Sequence, residues 1–400
     1  MPLQTLSEAP FDDTITIEAD RIETPFHTCT FDPSTGQITS LYDKLQNWEV
    51  LDQTSPWSLF QYVQETIDTT DQPNHRSVFF QADQEKVHNS ISCWNHEWKA
   101  LRRSYTAMTS CRIERSAHSA SLIVAFEAPG VDQFEQTFTF FSYRPDIEMK
   151  ASFYKQDITT PEGTYFAIPL NVKVWRCHYD TAGTLVELDA EQLPGVSRDY
   201  ITLDKSVSVY DGEHGVTLVC PDAPLVQVGD FNFGKEQKSI LKKPNPLLLA
   251  WPMNNYWETN YRARQPGFSI FTYRLSTFQK FDAAAVMETA VQGVSQMYTV
   301  PAVHCSEEEA DQLLQVVGEG VQAFHVGLSR DGKGVVLRLS NCKQKTVEAQ
   351  VRFPSSSIRS AYQTNGLEEI QEELADIRQS TINVVLAAKQ IMHLLVVPTR

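Results

Sequence analysis

The stretch "DIEMKASF", residues 146–153, places apolar residues at every second position and polar residues between them. The same period recurs in "SLIVAF" at 121–126, "VVLRLS" at 335–340 and "VEAQVRF" at 347–353. Because successive side chains of a strand point to opposite faces of a sheet, this pattern indicates half-buried strands of antiparallel sheets. The sequence therefore predicts an all-β fold.

Turn signals separate the predicted strands. They are short clusters of Gly, Pro, Asp and Asn, which are typical of tight connections. They occur at 32–36, 128–130, 211–215, 330–334 and 364–366. Their regular placement favours a β-sandwich architecture over a fold that alternates strands with helices.

Helical patterns are confined to the region between residues 280 and 320. One begins near Asp282, and the other begins at Ser306, where Ser306 and Glu309 have the spacing of a capping box. We place the main domain boundary in this region. The predicted organisation is a lead-in over 1–22, a large β-sandwich over 23–280, a connecting segment with short helices over 281–322 and a small β-sandwich over 323–400.

Composition excludes several classes of partner and location. The formal net charge is −16 over 400 residues, without a basic block, which argues against binding to nucleic acid or to anionic membranes. No segment approaches about 18 consecutive apolar residues, and the N-terminus lacks the apolar core of a signal peptide. The seven cysteines are scattered, without a C-x-x-C pair. We expect reduced thiols and a cytoplasmic protein.

No local pattern predicts catalysis or metal binding by this chain. The ten histidines are dispersed, and the nearest approaches to a ligand set are "NHEW" at 95–98 and "HYD" at 178–180. Neither has the spacing of a zinc site. Phosphate-binding, dinucleotide-binding and serine-nucleophile motifs do not occur. We therefore assign no catalytic residue and no metal ligand.

The segment "WPMNNYWETNYRARQPG", residues 251–267, combines aromatic rings with amide side chains. A sugar presents an apolar C–H face, which a ring can cover, and a rim of hydroxyls, which amides can bind. The segment "PDAPLVQVGDFNFGK" at 221–235 has a similar mixture. A structural alternative is a polar contact in which amides hold loops and rings pack. The candidate substrate-binding residues are Asp230, Asn232, Asn254, Tyr256, Trp257, Asn260 and Arg262.

The two segments resemble the C-terminal half of glycoside hydrolase family 38, the α-mannosidase family. Four other stretches agree with that family in order and rough spacing. They are "FDPSTGQITSLYDK" at 31–44, "SPWSLFQYVQE" at 55–65, "YFAIPL" at 165–170 and "GVVLRLSN" at 334–341. The resemblance runs from about residue 20 to the end of the chain. It implies a large β super-sandwich like that of galactose mutarotase, followed by a smaller sandwich.

Members of the family carry an N-terminal α/β domain with an aspartate nucleophile and a zinc ion that holds the mannose hydroxyls. Retaining hydrolysis needs that nucleophile and a second carboxylate about 5 Å away. We expect this chain to lack both, with the zinc in a missing catalytic domain. The resemblance implies two partners: a mannose-containing glycan, and an α-mannosidase catalytic domain in cis or in trans.

Three accounts of function remain open. The first is the C-terminal β-domain of an α-mannosidase, acting in mannose metabolism. The second is a free-standing carbohydrate-binding β-protein. The third is a mutarotase-like or epimerase-like enzyme, which would need an acid and a base in one cleft. The neighbouring titratable pairs that could serve it are His96 with Glu97 and Glu213 with His214.

The candidate residues also lead to a geometric expectation. Asn and Asp beside aromatic rings are costly to bury without partners. We therefore expect 251–262 and 229–234 to lie close together on one rim of the large sandwich, facing the catalytic domain. If the strand continues, Asn254 and Tyr256 share one face, and Asn255 and Trp257 share the other.

Overall fold

The computed structural model describes residues 14–67, 100–196, 198–233, 246–256, 262, 264–295 and 313–399. Strands dominate these residues, and one α-helix occurs among them, so the predicted all-β class is confirmed. The chain divides into two compact units. The first comprises Met1–Tyr179 with Glu187–Phe281, and the second comprises Asp180–Val186 with Asp282–Arg400. The domain boundaries predicted from the sequence stay predictions, because compactness alone does not define a folding unit.

Among the described residues, twenty strands precede the helix. They are β1 (Thr16–Ile17), β2 (Arg21–Glu23), β3 (His27–Phe31), β4 (Ile38–Asp43), β5 (Trp48–Glu49), β6 (Gln61–Ile67), β7 (Ala100–Arg103), β8 (Ala107–Arg115), β9 (Ser119–Ala128), β10 (Val131–Phe141), β11 (Ile147–Lys155), β12 (Glu162–Pro169), β13 (Arg176–Thr181), β14 (Thr184–Glu187), β15 (Ile201–Thr202), β16 (Ser206–Tyr210), β17 (Gly215–Val219), β18 (Leu225–Gly229), β19 (Leu247–Asn254) and β20 (Gly267–Phe278). The pairs they form in the first unit are antiparallel.

The first unit contains three sheets. A five-stranded sheet runs in the order β1-β2-β3-β4-β5. A long sheet includes the run β13-β16-β17-β20-β11-β10-β9-β8, and a six-stranded sheet has the order β15-β18-β19-β12-β6-β7. The long sheet has the alternation that the sequence predicts. In β11, Ile147, Met149, Ala151 and Phe153 are buried while the residues between them are half-exposed or exposed.

The six-stranded sheet packs on the long sheet through aromatic side chains. The Phe60 ring, in the loop before β6, lies 4.3 Å from that of Phe166 on β12 and 6.0 Å from that of Phe138 on β10. The Phe166 ring also meets the Tyr273 ring of β20 at 6.1 Å. The first of these contacts is stacked and the other two are edge-to-face, and both geometries stabilise a core beyond the area that they bury.

Strand β12 is buried along its whole length, which the alternating pattern elsewhere does not predict. Phe166 faces the long sheet, whereas Tyr165 and Ala167 join Leu249 and Trp251 of β19 in a second apolar cluster on the other face. A strand in a sheet that is covered on both faces has apolar residues at consecutive positions. This accounts for "YFAIPL" at 165–170 and for the apolar start of β19.

In the described part of the second unit, the helix is followed by nine further strands. These are α1 (Ala283–Val294), β21 (Gln315–Val317), β22 (Val321–Leu328), β23 (Val335–Asn341), β24 (Val347–Arg352), β25 (Ile358–Thr364), β26 (Ile370–Glu373), β27 (Ile377–Arg378), β28 (Thr381–Leu386) and β29 (Ile391–Pro398). Two sheets, β21-β24-β28-β27 and β22-β23-β29-β25-β26, enclose one apolar core. Its fully buried members include Leu337, Val351, Ile382 and Leu394.

Helix α1 begins where the sequence predicts. The Asp282 carboxylate caps it, accepting hydrogen bonds from the backbone N–H of Ala284 at 2.8 Å and of Ala285 at 3.0 Å. Such a cap satisfies amides that have no partner within the helix. The second predicted helix, from Ser306, lies outside the described residues. No helix in the described part of the chain is long and apolar enough to cross a membrane.

His27 provides a test of the core by pH. Its side chain is 3% exposed, and burial lowers the pKa of the imidazole to about 4, against an opposing attraction from Asp43. The unfolded chain therefore binds a proton near pH 6.5, where the folded protein does not. We expect the unfolding free energy of the wild type, relative to His27→Gln, to fall as the pH drops from about 6.5 towards 4.

Urea titrations followed by tryptophan fluorescence make this measurement. All seven tryptophans precede Phe281, so their signal reports the first unit. Parallel curves of unfolding free energy against pH for the wild type and for His27→Gln, between pH 7 and 4, would contradict the burial argument. A histidine whose pKa is the same in the folded and unfolded chain does not make stability depend on pH.

Candidate functional site

Residues 251–256 and 229–233 meet in a cluster of stacked rings, here named the aromatic cluster and defined as Tyr165, Phe231, Phe233, Trp251 and Tyr256. The Phe233 ring stacks on Tyr256 with centroids 4.8 Å apart and lies 5.1 Å from Trp251. The Tyr165 ring stacks on Trp251 at 5.3 Å. The expected proximity of the two segments is therefore confirmed for these residues. Their rings pack in a buried layer, as expected if the segments hold loops together and do not bind a sugar.

The Glu65 carboxylate lies beneath the aromatic cluster and is 3% exposed. It accepts hydrogen bonds from the Arg102 Nε at 2.7 Å, from the Tyr256 hydroxyl at 2.9 Å and from the Tyr165 hydroxyl at 3.4 Å. The Arg102 guanidinium also lies over the Phe231 ring, 4.1 Å from its centroid. A buried carboxylate needs this number of partners because its desolvation is expensive.

The two tyrosines act as permanent donors to Glu65. Burial raises the pKa of Tyr165 and of Tyr256 well above the usual value near 10, and the neighbouring Glu65 charge acts in the same direction. Each hydroxyl therefore keeps its proton at neutral pH and can donate it to the Glu65 carboxylate. The hydrogen bonds at Glu65 do not switch off as the pH rises through neutrality.

Gln227 extends these hydrogen bonds to the loop after β18. Its Nε2 donates to the Tyr165 hydroxyl at 3.0 Å, and its Oε1 accepts from the backbone N–H of Asn232 at 2.5 Å and of Phe233 at 3.1 Å. The Asn232 side chain then donates to the Val228 carbonyl at 2.8 Å. Asn232 is therefore a buried residue that stabilises the loop, because its side-chain amide donates to the backbone.

Asn255 has a similar structural role at the end of β19. Its Oδ1 accepts from the backbone N–H of Glu162 at 2.6 Å, and its Nδ2 donates to the carbonyls of Ile158 and Thr160 at 3.1 and 3.0 Å. Three bonds to the backbone hold the connection between β11 and β12 against this strand end. The side chain of Glu162 forms a buried ion pair with Lys155.

Asn254, at the end of β19, pairs across the sheet with Gly163. A Cβ at Gly163 would lie 3.0 Å from the Tyr256 ring, so the register agrees with the expectation that Asn254 and Tyr256 share a face. Among the remaining candidates, Asp230 is half-buried and Arg262 is exposed. Trp257 and Asn260 lie outside the described residues.

The acid–base pairs considered for a mutarotase-like reaction gain no support. The backbone amides of Glu213 and His214 both donate to the Asp211 carboxylate, at 2.8 and 2.9 Å, as in an ordinary turn. The His214 ring stacks flat on Trp48, with centroids 4.8 Å apart. His96 and Glu97 lie outside the described residues. Within the part of the chain that the structure describes, no three His, Cys, Asp or Glu side chains group to hold a metal ion.

Comparison with protein-family models finds a match in the second unit. Residues 321–392 match the family model for the "Glycosyl hydrolases family 38 C-terminal beta sandwich domain". These residues are therefore similar to that domain. They cover β22 to the start of β29, which is most of the small sandwich. No curated protein sequence matches the chain.

Solved structures show that the whole chain shares its fold with proteins of family 38. A family 38 protein from Enterococcus faecalis superposes with a TM-score of 0.66 and 12% identity, covering 96% of this chain and 45% of its own. An α-mannosidase from Enterococcus faecalis V583 gives 0.64 and 13%, covering 96% and 43%. A galactose mutarotase-like protein from Lactobacillus casei gives 0.36 and 9%, covering 66% and 100%. The chain thus spans less than half the length of the two family 38 structures.

Arg102 offers a test of the hydrogen bonds at Glu65. Replacing Arg102 with Gln removes the cation from a carboxylate that stays buried. Loss of one partner of a fully buried pair costs about 3–5 kcal/mol, and because Arg102 is partly exposed we expect about 2 kcal/mol. Urea unfolding followed by tryptophan fluorescence measures the change. Arg103→Gln, on the adjacent exposed position of β7, is the matched control. Equal stability of the two variants would contradict the role of Arg102.

Proposed function

We propose that this chain is the carbohydrate-associated β-domain of an α-mannosidase-like glycoside hydrolase. In this proposal it completes the sugar pocket of a separate catalytic domain, and that domain holds the zinc ion. The observation that carries the proposal is that the superposition covers nearly all of this chain but less than half of each structural neighbour. Two family 38 structures, one of them an α-mannosidase, match 96% of this chain but extend well beyond it. The substrate would be a mannose-containing glycan, and the location would be the cytoplasm.

The described site supports a contact role better than a catalytic one. Glu65, a carboxylate beneath the aromatic cluster, is 3% exposed and accepts hydrogen bonds from Arg102, Tyr165 and Tyr256. A general acid or nucleophile must instead reach the substrate. The buried layer formed by the aromatic cluster fixes the ends of β18 and β19, where the chain returns to the surface at Asp230 and Asn254. Rigid support of this kind is what residues need if they are to orient a substrate.

We assign contact with a partner domain or its substrate to three candidate residues. Asp230 and Asn254 are half-buried, and Arg262 is exposed. Asn232 and Tyr256 are buried, and we assign them the positioning of the loop instead of substrate contact. The function therefore depends on two groups of residues with separable effects. Loss of a contact residue weakens turnover, whereas loss of a positioning residue also lowers the stability of the first unit.

The test is hydrolysis of an aryl α-mannoside with zinc present. We expect no turnover by the purified chain, and turnover when the family 38 catalytic domain of the same organism is co-expressed with it or joined to it. In that complex, Arg262→Ala and Asp230→Ala should each lower kcat/KM by about tenfold, the equivalent of 1.4 kcal/mol. Arg378→Ala, an exposed change in the second unit, is the control.

Two results would contradict the proposal. One is zinc-dependent turnover by the chain alone. The other is a catalytic domain whose kcat/KM is the same with and without this chain, because a domain that completes the pocket must change it.

A further inference from the structure

The outer face of the five-stranded sheet in the second unit carries a row of basic side chains. In β23, Leu337 and Leu339 belong to the apolar core, so Arg338 between them lies on the opposite face. Arg338 pairs with His325 of β22 on one side and with His393 of β29 on the other. Cross-strand partners share a face, and neighbouring strands lie about 4.8 Å apart. Arg338 is therefore flanked by two histidines, and these three residues are here named the basic row.

Arg338 has no counter-ion in the part of the chain that the structure describes. Its side chain is half-buried, and its Nε is buried without a hydrogen-bond partner. The acidic side chains of the same sheet are placed elsewhere. Glu368 accepts from the backbone N–H of Arg330 at 2.7 Å, and Glu373 lies on β26, three strands away from β23. A cation whose donor is buried without an acceptor is costly, and a bound anion would remove that cost.

Thr364 supplies a second unpartnered polar atom on the same face. It lies on β25 and pairs with His393 from the side opposite to Arg338. The residue is 3% exposed, and its Oγ1 is buried without a hydrogen-bond partner. A hydroxyl can donate to an oxyanion, as a guanidinium does. Unused hydrogen-bonding capacity therefore occurs on both sides of His393.

The two histidines add donors to this face. Burial lowers the pKa of the His393 imidazole, and the nearby Arg338 charge acts in the same direction. The ring is therefore mostly neutral at pH 7 and can donate through one N–H. The His325 side chain is exposed and lies over Gly327, where a Cβ would be 3.1 Å from its Nε2. The glycine thus leaves room for this ring at the side of the basic row.

We propose that the basic row binds the phosphate group of a phosphate monoester. The planar guanidinium of Arg338 matches two oxygens of the phosphate, and the phosphate charge provides the acceptor that Arg338 lacks. A carboxylate has only two oxygens, which the guanidinium alone would occupy. A phosphate has further oxygens for His325 and His393. Because the face is partly open to water, a Kd of about 1 mM is expected.

This site goes beyond the carbohydrate-associated function and does not depend on it. The residues that carry it lie in the second unit, whereas the residues assigned to a sugar pocket lie in the first. Failure of either proposal therefore leaves the other standing.

The experiment uses the full chain with ¹³C-labelled histidine, and inorganic phosphate is the probe. Ten histidines give ten Hε1 ring signals, and His325→Gln and His393→Gln identify the two in the basic row. At pH 7 and constant ionic strength, phosphate should shift these two signals in a saturable way, with a Kd of about 1 mM. The pKa of His393 should also rise, because a bound anion favours the imidazolium. Acetate should bind at least about tenfold more weakly, since it offers no oxygen to the histidines.

Arg338→Gln should weaken phosphate binding at least about tenfold, because it removes the charge that faces the anion. Arg359→Gln, an exposed change on β25 of the same sheet, should leave binding unchanged. His325→Gln should weaken binding about threefold when it is followed at the His393 signal. His325 is exposed, so this variant keeps the test usable if Arg338→Gln unfolds.

Three results would overturn the site. The first is that neither histidine signal responds to phosphate. The second is a response that is the same in the wild type and in the folded variants of Arg338 and His325. The third is an equal response to acetate, which would show a general attraction of anions and no phosphate site.

Discussion

The Glu65 carboxylate is the constraint on which the candidate site depends. A carboxylate that is 3% exposed must be compensated, and its donors come from Arg102, Tyr165 and Tyr256, the last of them 191 positions away in the chain. These bonds tie β6, β7, β12 and the end of β19 into one unit. Because the Phe233 ring packs on Tyr256, the loop after β18 is held by the same interaction.

The six-stranded sheet explains why amide side chains accompany the aromatic rings. Its inner face packs on the long sheet through Phe166, and its outer face carries the aromatic cluster. Strand ends that are covered in this way would leave backbone amides without water. Gln227 and Asn255 satisfy those amides with their side chains, which places amide groups beside rings.

The sequence predicts local structure well, and long-range pairing hardly at all. Alternation predicts β11 and β24, and the Asp282 cap predicts the start of α1, because each depends on neighbours within a few positions. The mixture of rings and amides in residues 251–256 correctly singles out a special segment. Its partners Glu65 and Arg102 carry no local signal, because only the fold brings them there. The shared face of Asn254 and Tyr256 follows from strand alternation, and the pairing of Asn254 with Gly163 agrees with it.

The central claim is that Glu65 and Tyr256 hold these segments together, and a double-mutant cycle tests it most directly. The stabilities of the wild type, Glu65→Gln, Tyr256→Phe and the double variant are measured by urea unfolding with tryptophan fluorescence. The account predicts a coupling energy of about 1–3 kcal/mol, as for partners in one buried network. Additive effects of the two substitutions, with a coupling near zero, would contradict it.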